Sequence, residues 1–190
     1  MSEASPWKTL SSRVVYQNPW MTVREDQVIR PDGKPGIYGV IDKGAATGVV
    51  AIDDEGRVVL VGQYRYPMGR YSWEIVEGGA ESGEEPLQAA QRELREEAGL
   101  VAADWEPLGG VLQVSNCVTS EEGFLFLARG LSEVPAEPEG TEVLQIARVP
   151  LAQALARVDS GEIEDAMSVV ALLRAARRPD LQPYFASRTL

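Results

Sequence analysis

A single well-bounded helix, set among short runs of β-type residues, limits most what this chain can become. Pro86 opens it, at a position where a first helical turn tolerates proline, and Gly99 stops it after Ala98. Ahead of it the composition predicts strands over 13–16, 21–24, 28–30, 37–41, 47–52, 58–64 and 71–76. Turns separate them at 31–36, at the hairpin signal Asp53-Asp54-Glu55-Gly56, and at Gly78-Gly79. Behind it, strands are expected over 108–114, 123–128 and 147–150, a proline-bearing loop over 132–140, and helices over 151–158 and 164–176. Strands come first, helices follow, and they do not alternate as βαβ units. That order predicts an α+β fold with a mixed sheet.

At 190 residues the chain has the length of one domain with a small appendage. Its net charge of −11 makes nucleic acid and anionic membrane poor partners. There is no histidine, which removes Ser–His–Asp triads, Cys–His pairs and His-ligated zinc together. The one cysteine, Cys117, cannot form an internal disulfide, and between its acidic neighbours it reads as a packing residue. The N-terminus is polar, and no apolar run approaches the roughly 18 residues of a membrane-spanning helix. A soluble, cytoplasmic protein is expected, and any catalysis must rest on carboxylates or bound metal.

The carboxylates concentrate in one place. Residues 77–97 hold seven Glu against two Arg. On a helix over 86–98, Leu87, Ala90, Leu94 and Ala98 fall in one arc, a predicted buried stripe. Glu93, Glu96 and Glu97 fall beside it, spaced so that three carboxylates reach one point. Like charges so close cost several tenths of a kcal/mol per pair, so a compensating cation is expected. Mg²⁺ suits that role, taking oxygen ligands from carboxylates and substrate phosphates. The glycine loop ahead of the helix lets backbone approach the same point.

The run Gly78, Glu84, Arg92-Glu93-Leu94, Glu96-Glu97, Gly99-Leu100 matches all nine fixed positions of the Nudix box, and the chain resembles that family. The resemblance implies a Nudix-type α/β/α sandwich around a mixed sheet, and hydrolysis of nucleoside diphosphates linked to another group, with Mg²⁺ or Mn²⁺. It implies Glu93, Glu97 and the Glu77 carbonyl as metal ligands, with Glu96 a further ligand or proton acceptor. Arg92 is implied to orient a box glutamate, and Glu84 to sit near the cluster. Gln63-Tyr64-Arg65, the run 73–78 and the late run 161–166 resemble the ADP-ribose pyrophosphatase branch. In that branch a strand-rich N-terminal segment pairs two subunits, so a homodimer is implied, with the segment over 1–45 and the catalytic domain over 46–190.

Further roles follow from the same likeness. Arg65 resembles a residue that contacts substrate phosphate, against the alternative of a salt bridge. Trp20 and Tyr38 offer stacking faces for a base, against the commoner fate of core aromatics. The loop 115–123 resembles one that carries a catalytic glutamate. Glu121 aligns better than Glu122, and Glu162 and Glu164 are weaker alternatives. No proline occurs between Pro107 and Pro135, where ADP-ribose-specific members usually place one. The expected reaction is thus cleavage of ADP-ribose or a related nucleoside diphosphate sugar. The alternatives are a GDP-mannose or broad sugar-nucleotide pyrophosphatase and a nucleotide-sensing module without catalysis.

Overall fold

The computed structural model describes residues 4–137 and 143–184, so residues 138–140 of the expected loop lie outside the described residues. The chain divides into two compact units. The first takes the chain up to Gly44 together with Gln113–Glu122; the second takes Ala45–Leu112 and the chain from Gly123 onward.

The first unit is a three-stranded antiparallel sheet. Its strands are β1 (Lys8–Gln17), β2 (Thr22–Ile29) and β3 (Pro35–Asp42), in the order β1-β2-β3. β1 and β3 outrun their predicted segments and β2 joins the two expected over 21–24 and 28–30, with ladder pairing running through the polar Ser11, Ser12, Glu25 and Asp26 that composition leaves out. Many of its large apolar side chains are exposed, among them Leu10, Val14, Tyr16 and Ile37.

The second unit is built on β4 (Ala46–Ala51) and β5 (Arg57–Arg65). Their residues are buried on both faces, so the apolar run is continuous rather than alternating. Val49 and Ala51 of β4, with Val59 and Val61 of β5, join a core with Ala90 and Leu94 of helix α1 (Pro86–Ala98). Val50, Ile52, Val58 and Leu60 face the opposite way. They pack with Leu151 and Ala154 of α2 (Leu151–Asp159) and with Met167, Ala171 and Leu172 of α3 (Ala166–Ala176). Strand alternation alone thus separates two cores and yields helices on both sides.

β6 (Arg70–Glu74), β7 (Val76–Gly79), β8 (Leu100–Pro107), β9 (Leu112–Gln113), β10 (Glu122–Glu133) and β11 (Gln145–Pro150) complete the strands. One sheet runs β7-β4-β10-β8 and the other β11-β5-β6. β4 and β10 are parallel and the remaining described pairs antiparallel, which makes the sheet mixed as expected.

Three expectations are corrected. The strand over 71–76 is two strands, because the Ile75 N–H leaves the ladder and donates to Ser168 Oγ at 3.0 Å. The strand over 108–114 shrinks to β9; a turn at Gly109-Gly110 interrupts it, with Arg174 Nη1 donating to the carbonyls of Leu108 and Gly110. On α1 the buried residues are Ala89, Ala90, Leu94 and Glu97, while Leu87 is exposed.

Candidate active site

The second unit assembles the acidic cluster from three elements. Thr47 and Ala46 of β4 pair with Gly78 and Gly79 of β7, and Ala80 N–H donates to the Ala45 carbonyl at 2.8 Å. This fixes the glycine loop against the sheet. Helix α1 starts at Pro86 behind a reciprocal cap between Glu85 and Gln88 and ends at Gly99 in the left-handed region. Loop and helix meet at Gly78, where an added Cβ would overlap the Glu93 carboxyl. Only glycine leaves that carboxyl its place.

The expected compensation of like charges is present within the chain. Arg92 Nη1 donates to Glu93 Oε1 at 2.8 Å and to Glu96 Oε2 at 3.1 Å. Its Nε and Nη2 reach Glu84 at 3.1 and 3.0 Å, and Nη2 also donates to the Gly79 carbonyl at 2.8 Å. One guanidinium thus ties three carboxylates to the glycine loop, a geometry a lysine ammonium cannot copy. Hydrogen bonding to Glu84 foremost, and to Glu93 and Glu96, raises the Arg92 pKa, while Arg92 in turn lowers that of Glu84. Glu97 lies one turn further along α1 than Glu93. It is buried, and its Oε2 accepts from the Glu77 N–H at 3.4 Å. Among the described residues, no trio of acidic side chains already converges in ion-holding geometry; Arg92 bridges Glu93 and Glu96 instead.

The donors nevertheless suit a hard divalent cation. They are carboxylate oxygens and a backbone carbonyl, the oxygen ligands that such an ion takes. Glu77 contributes a second feature the sequence did not disclose. Its carboxyl accepts from Ser168 Oγ at 2.6 Å, and Ser168 is fully buried at the first turn of α3. Burial first, and then the nearby Asp165 carboxylate, push the Glu77 carboxyl well above the usual range.

The remaining site residues are scattered over both units. Arg65 is held by Glu74, with Nε 3.0 Å from both carboxylate oxygens and Nη2 paired to Oε2. Glu74 is buried, so this pair is firmer than an exposed bridge. Glu162 and Glu164, the weaker base alternatives, pair with Arg157 and Arg70. In the first unit Trp20 lies largely exposed in the turn before β2, not in a core. Tyr38 packs edge-on against Trp7, with ring centroids 5.3 Å apart, and donates to the Cys117 carbonyl at 3.0 Å. Cys117 is exposed, correcting its reading as a packing residue. Glu121 Oε1 accepts from Lys43 Nζ at 2.5 Å, a pairing that no sequence signal announced.

Known proteins resemble the chain over most of its length. Residues 42–178 match the family described as NUDIX domain, and residues 7–41 match the nucleoside diphosphate sugar hydrolase N-terminal domain. The chain is 34% identical over 170 residues to an ADP-ribose pyrophosphatase of Mycobacterium tuberculosis, covering 88% of this chain and 82% of that one. An ADP-ribose pyrophosphatase of Bacillus subtilis is 32% identical over 167 residues, covering 87% and 90%. A solved ADP compounds hydrolase superposes with a TM-score of 0.79 over 92% of this chain and 94% of its own, at 24% identity. That last likeness bears on the fold, and the fold is the one the sequence predicts.

Proposed function

This chain belongs to the NUDIX family, and from that premise we propose that it hydrolyses the pyrophosphate of ADP-ribose or a related nucleoside diphosphate sugar, releasing a nucleoside monophosphate and a sugar phosphate. The observation that carries this reading is the Arg92-centred carboxylate cluster seated on Gly78. The N-terminal domain match, and relatives named as ADP-ribose pyrophosphatases over most of both chains, support the substrate class.

Glu93, Glu96, Glu97 and the Glu77 carbonyl are the proposed ligands of a divalent cation, Mg²⁺ with Mn²⁺ as substitute. When bound, such a cation neutralises pyrophosphate charge and makes water a competent nucleophile. Around it the side chains have separable tasks. Arg92 holds Glu93 and Glu96 in register with the loop, and the Glu77 N–H holds Glu97. Arg65, fixed in plane by Glu74, offers Nη1 outside that pair to a substrate phosphate. Glu121 accepts a proton from the attacking water, and Trp20 and Tyr38 give the base its stacking faces. The exposed apolar side chains of the N-terminal sheet support a homodimer joined there. Among the described residues no helix is long and apolar enough to cross a membrane. That, with a lone unpaired cysteine, supports a cytoplasmic setting.

A broader sugar-nucleotide range is the second reading, favoured by the missing proline between Pro107 and Pro135. The purified protein should be incubated with Mg²⁺ and ADP-ribose, ADP-glucose, GDP-mannose, UDP-glucose or NADH, and the products resolved. Preferential release of AMP from ADP-ribose is the expected result. Equal or faster cleavage of GDP-mannose would move the assignment to the broader class. Cleavage of none would make the chain a nucleotide-sensing module.

A further inference from the structure

Lys43 and Glu121 lie 78 residues apart in sequence, yet the first unit brings them together through backbone contacts that leave the Glu121 main chain little freedom. The Ile41 N–H donates to the Val118 carbonyl at 2.8 Å, and the Ser120 N–H donates to the Ile41 carbonyl at 3.1 Å. Between them Ile41 and Thr119 form an isolated parallel bridge. The loop also closes on itself, with the N–H groups of Val118 and Thr119 both donating to the Ser115 carbonyl at 3.0 Å. Glu121 N–H then donates to Thr119 Oγ1 at 3.1 Å. The loop is therefore anchored to the end of β3, and only the side-chain torsions of Glu121 remain to be set.

Lys43 follows β3 directly and sets them. Its ammonium holds Glu121 Oε1 at 2.5 Å, while Oε2 takes no part in that bond. The neighbouring Asp42 does not compete for Lys43, since it accepts from Arg24 Nε at 2.9 Å. Glu121 is mostly enclosed, its side chain 15% exposed against 41% for Lys43. An exposed ion pair contributes little to stability. Its effect on geometry is larger, because a glutamate with free torsions spreads over several rotamers and a base must stay within hydrogen-bond reach of its water.

We infer that Lys43 is a positioning residue for the hydrolysis, fixing the Glu121 carboxylate that receives the proton of the attacking water; this rests on the assignment of Glu121 proposed above. The test compares wild type, Lys43→Met, Lys43→Arg, Glu121→Gln and the Lys43→Met/Glu121→Gln pair, with ADP-ribose and saturating Mg²⁺. Lys43→Met should lower kcat roughly tenfold, the scale of losing an outer partner of an active-site group. KM should stay within about twofold, and Lys43→Arg should keep at least about a third of wild-type kcat. In the Glu121→Gln background Lys43→Met should change nothing further. A wild-type kcat for Lys43→Met overturns the proposal. So do equal losses in the Met and Arg variants, losses that multiply in the double variant, or losses that follow a lowered melting temperature. If Glu121→Gln alone turns over like wild type, the Glu121 assignment itself falls, and the role of Lys43 with it.

Discussion

Arg92 reaches Glu84, Glu93, Glu96 and the Gly79 carbonyl, and no other side-chain type has enough donors in one plane to do so. Arg92→Lys keeps the charge and loses the fork. Its kcat for the nucleotide sugar should fall about 10- to 100-fold with the fold intact, as circular dichroism and steady-state rates would report; near-wild-type kcat would remove Arg92 from the site. Residues of this kind were legible in the sequence because their spacing on a helix is itself the signal. Gly78 was legible as part of the loop, but its reason, the Glu93 carboxyl filling the space of a Cβ, appears only in three dimensions. Lys43 and Ser168 were illegible, since a lone lysine and a lone serine carry no pattern and their partners lie 78 and 91 residues away. Whether Trp20 is core or surface was not readable either: composition leaves both open for a lone aromatic, and a turn held by Asn18 Oδ1 puts it in solvent.

At the scale of elements, legibility follows local punctuation. Helix α1 begins and ends where Pro86 and Gly99 predict, because both ends are set by backbone chemistry of the residues themselves. Helix α3 begins two residues later than its periodicity predicts, since Asp165 caps it by accepting from the Ser168 N–H at 2.8 Å. β8 was missed because, among the described residues, it pairs only with β10 and keeps most of its residues in solvent, so it shows no alternation. The junction of β7 with α3 makes a prediction of its own. The Glu77 carboxyl, buried and facing Asp165, has a raised folded pKa, so the folded chain holds its proton more tightly than the unfolded chain does. Its contribution to stability is complete below the unfolded carboxylate value and is lost as pH rises through the folded one. With chelator present, the Tm of wild type should fall relative to Glu77→Gln as pH rises above the ordinary carboxylate range. Parallel Tm curves for the two proteins would contradict the buried acid.

For the whole molecule, the sequence order of strands and then helices was enough to place the chain in the right class; the structure adds that β4 and β5 are continuously buried and need cover on both faces. The grouping of Gln113–Glu122 with the N-terminal sheet was not readable, as it depends on Ile41 pairing with a distant loop. The exposed apolar side chains of that sheet predict a mass in sedimentation of twice 20.7 kDa; a monomer would leave them without cover. The proposed reaction depends on the carboxylates of α1 holding a divalent cation. Its most direct test is a Mn²⁺ titration of wild type and Glu97→Gln, followed by paramagnetic resonance, with ADP-ribose turnover read on the same samples. Wild type should bind Mn²⁺ and gain activity in parallel. Glu97→Gln should melt like metal-free wild type, yet bind at least about tenfold more weakly and lose most turnover. Equal binding and equal turnover in the two proteins would contradict the account.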